Sequence, residues 1–89
     1  MYTVKYTKEA ERFLKTQNTK TKKRIMDKVD HLALNPYTMN NNVTKMVERP
    51  GYRLRIGDIR VLYDIFNNVL VINVFEIENR DSVYKRRYK

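Results

Sequence analysis

The chain has 89 residues, with 19 Lys and Arg against 10 Asp and Glu, a formal charge of +9 and a hydrophobic fraction of 42%. A chain this short buries only roughly 60 to 65% of its unfolded surface, so residues 1 to 89 are expected to form one domain around one core. The lack of Cys excludes disulfides, thiolate nucleophiles and cysteine metal sites, the lone His31 excludes a histidine cluster, and no apolar run approaches the ~20 residues of a bilayer span; the reading is a cytoplasmic, metal-free protein with an anionic partner.

Residues 2 to 6, Tyr-Thr-Val-Lys-Tyr, alternate as a short first strand. Thr7 offers a hydroxyl to cap a helix in which Ala10, Phe13 and Leu14 share one face and Lys8, Arg12 and Lys15 another. A second helix opens near Asn18 or Thr19, carries Ile25, Val29, Leu32 and Ala33 as its apolar stripe, and closes at Asn35 and Pro36. The short joint between the two predicts an antiparallel helix hairpin. Residues 36 to 42 are polar and unpatterned, and mark the switch from helical to strand periodicity.

Val43 to Val47 reads as an edge strand, followed by the turn signal Arg49-Pro50-Gly51. Strands are expected over 52 to 56, 59 to 66 and 69 to 77, joined by two-residue turns at Gly57-Asp58 and Asn67-Asn68. In that register Tyr52, Leu54, Ile56, Ile59, Val61, Tyr63, Ile65, Leu70, Ile72 and Val74 share one face, the face for the helices to cover. The fold class is therefore α+β. An N-terminal strand and a helix hairpin pack on one face of a small, mainly antiparallel sheet of about four strands.

The opposite face gathers Arg53, Arg55 and Arg60 with Leu62, Asp64, Phe66, Val69, Val71, Asn73 and Phe75. The Gly57-Asp58 turn sets Arg55 directly opposite Arg60, a repulsion of up to ~1 kcal/mol, and Asp64 is the one acid expected there. An external anion is the simplest compensation, because guanidinium groups bind phosphate oxygens bidentately and stay charged at any relevant pH. Lys20, Lys22, Lys23, Arg24 and Lys28 read as a solvated helix face adding general attraction to nucleic acid. Tyr84 and Tyr88 lie among basic residues, as base stacking requires, whereas His31 reads as a surface or core-edge residue.

The stretch Gly-Tyr-Arg-Leu-Arg-Ile-Gly-Asp-Ile-Arg-Val-Leu-Tyr-Asp-Ile at 51 to 65, with the ending Phe-Glu-Ile-Glu-Asn-Arg-Asp-Ser-Val-Tyr-Lys-Arg-Arg-Tyr-Lys, resembles the RelE/ParE superfamily of bacterial toxins, and more closely its RelE-type, messenger-RNA-cleaving branch. The resemblance spans nearly the whole chain. It implies the toxin of a toxin-antitoxin system and a short C-terminal basic helical segment. It also implies a ribosome-dependent endoribonuclease that inhibits translation by attack of the ribose 2′-hydroxyl on the scissile phosphate, without metal or cofactor. By the same resemblance Arg53 and Arg55 match paired basic positions, Arg60 matches the arginine on the scissile phosphate, and Arg80 matches a second arginine. Tyr84 matches an aromatic that stacks on the displaced base, and Arg86 and Arg87 add to substrate binding. The implied partners are an acidic, amphipathic antitoxin segment, the ribosome and messenger RNA, and no membrane.

Some members carry lysine where this chain has Arg53 and Arg55, and arginine is a poor base, so the general base stays open among Glu76, Glu78, Asp81, Tyr84 and a ribosomal RNA group. Two other functions are compatible with the sequence. One is a ParE-like inhibitor of DNA gyrase; the other is a basic RNA-binding module without turnover.

Overall fold

In a computed structural model, described over residues 1–37, 42–47 and 49–79, the chain runs β1 (Thr3–Tyr6), α1 (Lys8–Lys15), α2 (Thr19–Leu34), β2 (Val43–Lys45), β3 (Tyr52–Ile56), β4 (Ile59–Phe66) and β5 (Val71–Asn79). Both helices begin at the capping side chains that the sequence offers. Thr7 Oγ1 accepts from the Ala10 amide at 3.3 Å, and Asn18 Oδ1 accepts from the Thr21 amide at 2.8 Å, each relieving an amide with no partner inside its helix. α2 stops at Asn35, whose conformation is restricted by the proline that follows.

The strands form one sheet in the order β1-β5-β4-β3-β2, five strands where about four were expected. All neighbours are antiparallel except β1 and β5, which run parallel, and the helix pair leads from β1 at one edge of the sheet to β2 at the other. One face carries Leu54, Ile56, Ile59, Val61, Tyr63, Ile72, Val74 and Ile77, buried against Ala10 and Leu14 of α1 and Ile25, Val29, Leu32 and Ala33 of α2. The alternation read from the sequence thus selects the core face correctly for β3, β4 and the first half of β5. The expected C-terminal helical segment lies outside the described residues.

Two departures in β5 change what sits on the other face. The turn after β4 spans four residues, 67 to 70, rather than two, so Phe66 pairs with Val71. Asn67 holds this turn, its Oδ1 accepting from the Tyr2 hydroxyl at 2.8 Å and the Tyr37 hydroxyl at 2.7 Å. The residue with positive φ is Leu70, at +51°, which leaves it 48% exposed and out of the core where it was expected. A slide of two residues preserves parity, so Ile72 and Val74 keep their face.

A slide of one does not. Leu62 pairs with Glu76 while the adjacent Tyr63 pairs with Val74, which leaves Phe75 as the extra residue of a β-bulge. Beyond it the faces exchange, Ile77 turning into the core opposite Val61 and Glu76 and Glu78 turning to the outer face. The physical reason is readable in the residues: unbroken alternation would have buried two glutamates and exposed an isoleucine.

Tyr63 is fully buried, and neither its hydroxyl nor that of Tyr6 has a hydrogen-bond partner among the described residues. Burial pushes the Tyr6 phenol up to about 12, with the Asp30 carboxylate adding to it, and burial beside Tyr52 pushes the Tyr63 phenol up as well. A phenol harder to ionise when folded contributes stability that is intact below the ordinary value of 10.0 and is lost as pH rises through the folded value of about 12. Tyr63→Phe is therefore expected to be neutral or to stabilise by ~1 kcal/mol at neutral pH, and to reduce the alkaline loss. Denaturant titrations at neutral and alkaline pH check it, and a destabilised variant at neutral pH would mean that the hydroxyl is satisfied.

Candidate functional site

The outer face of the sheet is organised by the hairpin of β3 and β4. Gly57 takes φ +60° at the first turn position, and the register places Ile56 opposite Ile59, Arg55 opposite Arg60, Leu54 opposite Val61 and Arg53 opposite Leu62. With the buried Leu54, Ile56, Ile59 and Val61 fixing the inner face, the three guanidinium groups share the outer one. β2 completes the arrangement at the sheet edge. Thr44 stands opposite Arg53, and the Asn42 carbonyl accepts from the Arg55 amide at 2.7 Å.

Arg53, Arg55 and Arg60 together with Asn42 and Thr44 line a concavity of about 130 Å³. A second hollow of about 140 Å³ adjoins it, lined by Arg55, Gly57, Asp58 and Arg60. A Cβ at Gly57 would lie 3.9 Å from both terminal nitrogens of Arg24, so α2 brings a further guanidinium beside the turn. Arg24 is exposed, as expected of the solvated face of α2, and its guanidinium reaches the turn from there. Such a concentration of forked donors with two small polar side chains is suited to a phosphate or a phosphodiester.

The acids on this face differ from those expected. Asp64 is engaged at the far end, 4.0 Å from Arg49, whose guanidinium also lies 4.2 Å from the centre of the Phe75 ring. Asp64 is therefore turned to Arg49 rather than to the arginine trio. The bulge delivers Glu78 directly opposite Arg60 from β5, with Arg60 Nη1 to Glu78 Oε1 at 3.9 Å and side-chain exposures of 27% and 15%. Asp64 is thus not the one acid of the face, and the repulsion between Arg55 and Arg60 is answered from the other neighbouring strand.

Sequence reasoning brought together Arg53, Arg55 and Arg60, and it missed Asn42, Thr44, Arg49 and Asp58. Thr44 follows from the β2–β3 register, which a three-residue strand beside a polar loop does not reveal. Arg80, Asp81, Tyr84, Arg86 and Arg87 lie outside the described residues. Among the described residues no group of three or more His, Asp and Glu side chains is placed to hold a metal ion.

The model of the family described as "ParE toxin of type II toxin-antitoxin system, parDE" matches residues 4–84. The chain belongs to the RelE/ParE superfamily of toxins. No curated protein matches it. Among solved structures, it is similar to the archaeal RelE–RelB complex from Pyrococcus horikoshii, with 26% identity, coverage of 89% of this chain and 94% of that chain, and a TM-score of 0.77. It is similar to the intact Escherichia coli RelBE toxin-antitoxin complex, with 15% identity, 89% and 96% coverage and a TM-score of 0.76. The isolated E. coli RelE toxin, at 16% identity, covers 99% of this chain and 96% of its own length with a TM-score of 0.76. The RelE/ParE membership expected from the two motifs is borne out, and with it the α+β fold.

Proposed function

We propose that this toxin is a ribosome-dependent, metal-independent messenger-RNA endoribonuclease that inhibits translation in the cytoplasm. The observation that carries the reading is the arginine concavity, where Arg55 and Arg60 face each other and Arg53 adjoins them. In the reaction the 2′-oxygen forms a bond to phosphorus, the bond from phosphorus to the 5′-oxygen breaks, and negative charge grows on the phosphoryl oxygens. Arg60 binds that charge, and Arg53 and Arg55 hold the flanking backbone, so the gain is electrostatic and positional. Arg80 supplies a second charge, Tyr84 stacks on the displaced base, and Arg86 and Arg87 bind the strand. The cognate partner is an antitoxin segment, acidic and amphipathic, that lies on this outer face, where Phe66 and Val69 are exposed beside the positive charge. The similar P. horikoshii and E. coli toxins crystallised with RelB antitoxins, which supports a partner of that kind.

A second reading has an observation of its own. The matching family model is that of ParE, and a ParE-like toxin would act on DNA gyrase, with the arginines contacting protein. Mapping messenger-RNA 5′ ends after brief induction separates the readings. Codon-associated cuts are expected; loss of supercoiling without cuts would establish the gyrase reading, and neither effect would leave a basic binding module.

A further inference from the structure

We infer that Glu78 is the general base that takes the proton from the attacking 2′-hydroxyl; the inference rests on the endoribonuclease reading and assigns the role that the arginines cannot fill. Arg53, Arg55 and Arg60 remain protonated and offer no lone pair, so a base must come from elsewhere. The extra residue at Phe75 inverts the last third of β5 and sets Glu78 across from Arg60, where an unbroken strand would turn it to the core. The carboxylate is thereby placed next to the guanidinium proposed to grip the scissile phosphate.

The separation fits that task. Glu78 Oε1 stands 3.9 Å from Arg60 Nη1, longer than the roughly 2.7 to 2.9 Å of a charge-assisted hydrogen bond, so the two groups are neighbours rather than a closed fork. In-line attack requires the 2′-oxygen within about 3 to 3.5 Å of phosphorus and a base within about 2.6 to 3.2 Å of that hydroxyl, and a carboxylate beside the guanidinium that holds the phosphate lies in the neighbourhood where such a base is needed. The other described acids lack this cross-strand pairing with Arg60. Glu76 pairs with Leu62, two positions and about 7 Å along the strand from the residue opposite Arg60. Asp64 is turned to Arg49; Asp58 lines the second hollow with Arg55 and Arg60 but sits exposed on the hairpin turn, outside the strand register that sets Glu78 across from Arg60, and it is the rival that Asp58→Asn tests.

The surroundings of Glu78 orient it. Arg60 faces it from β4, with Arg55 behind on β3. On the α1 side Glu9 and Arg12 line a cleft of about 370 Å³ together with Glu76 and Glu78. The step balances without a further reagent. Glu78 accepts the 2′-hydroxyl proton as the new phosphorus–oxygen bond forms, giving a 2′,3′-cyclic phosphate. Water protonates the departing 5′-oxygen, and the resulting hydroxide takes the proton back from Glu78.

The test is single-turnover cleavage of messenger RNA on programmed ribosomes at saturating toxin, for the unaltered chain, Glu78→Gln, Glu78→Asp, Asp58→Asn and Arg60→Ala, with melting temperatures for each. Glu78→Gln is expected to fall ~10²-fold or more in rate and to lose the acid limb of the pH–rate profile, with Glu78→Asp recovering part of both. Three outcomes overturn the assignment. A Glu78→Gln variant that cleaves at the original rate is one; a slowed variant that keeps the acid limb, which marks Glu78 as a positioning residue for Arg60, is another; loss of the limb in Asp58→Asn instead is the third. If Arg60→Ala also cleaves normally, the endoribonuclease site itself is wrong, which separates failure of that reading from failure of this one.

Discussion

Arg60→Ala is expected to lower messenger-RNA cleavage by ~10²- to 10³-fold while leaving the fold intact. Arg60 sits on β4 between β3 and β5, with its guanidinium on the outer face and its neighbours Ile59 and Val61 in the core. Alanine there empties no cavity, since the side chain is 27% exposed and stands outside the buried set. Two electrostatic effects of opposite sign accompany the change. The repulsion from Arg55 is relieved and the attraction to Glu78 is lost, each on the order of 1 kcal/mol or less, so stability is expected to change by less than ~1 kcal/mol. Arg60→Lys keeps the charge without the planar fork and is expected to fall between the two. Growth arrest on induction, read beside the melting temperature, decides the matter. An Arg60→Ala chain that is folded and fully toxic would make the cluster part of the scaffold.

Short-range turn chemistry made half of this site legible before any coordinates. Gly57 needs positive φ, which fixes a two-residue hairpin, and a two-residue hairpin between Ile56 and Ile59 leaves Arg55 no partner but Arg60. The side of the sheet that meets the helices was equally legible, because Leu54, Ile56, Ile59, Val61 and Tyr63 alternate without interruption. The turn after β4 was not. Asn67-Asn68 is a strong signal for a tight turn, yet Asn67 is occupied as the acceptor for Tyr2 and Tyr37, contacts that join it to residues 65 and 30 positions away. Local propensity cannot register such a demand.

The bulge is the consequential omission. It changes no composition and needs no glycine, so only parity reveals it: carrying the alternation of Ile72 and Val74 forward would have buried Glu76 and Glu78. That signal was available in the residues Phe75-Glu76-Ile77-Glu78. Without it the outer face held Asp64 as its acid, and a residue at the proposed reaction centre was left among several candidates for the base.

Parity also gives the bulge its sharpest stability test. Ile72 and Ile77 are separated by five positions, an odd number, so on an unbroken strand they would face opposite ways and only one could be in the core. Both are buried, Ile72 completely and Ile77 to 5% exposure, the first between Val4 and Ile65 and the second opposite Val61. Ile72→Ala and Ile77→Ala are therefore each expected to destabilise by ~2 to 5 kcal/mol, with the fully enclosed Ile72 toward the upper end. For a domain of this size that is a large share of a total near ~5 to 15 kcal/mol, and Ile72→Ala is expected to lower the melting temperature by more than ~10 °C. Val71→Ala, one position away on the half-covered outer face, is expected to change stability by less than ~1 kcal/mol. Urea titration of the three variants at one pH measures the pattern. An inexpensive Ile77→Ala beside an expensive Ile72→Ala would return β5 to unbroken alternation, and Glu78 would then leave the face that carries Arg60.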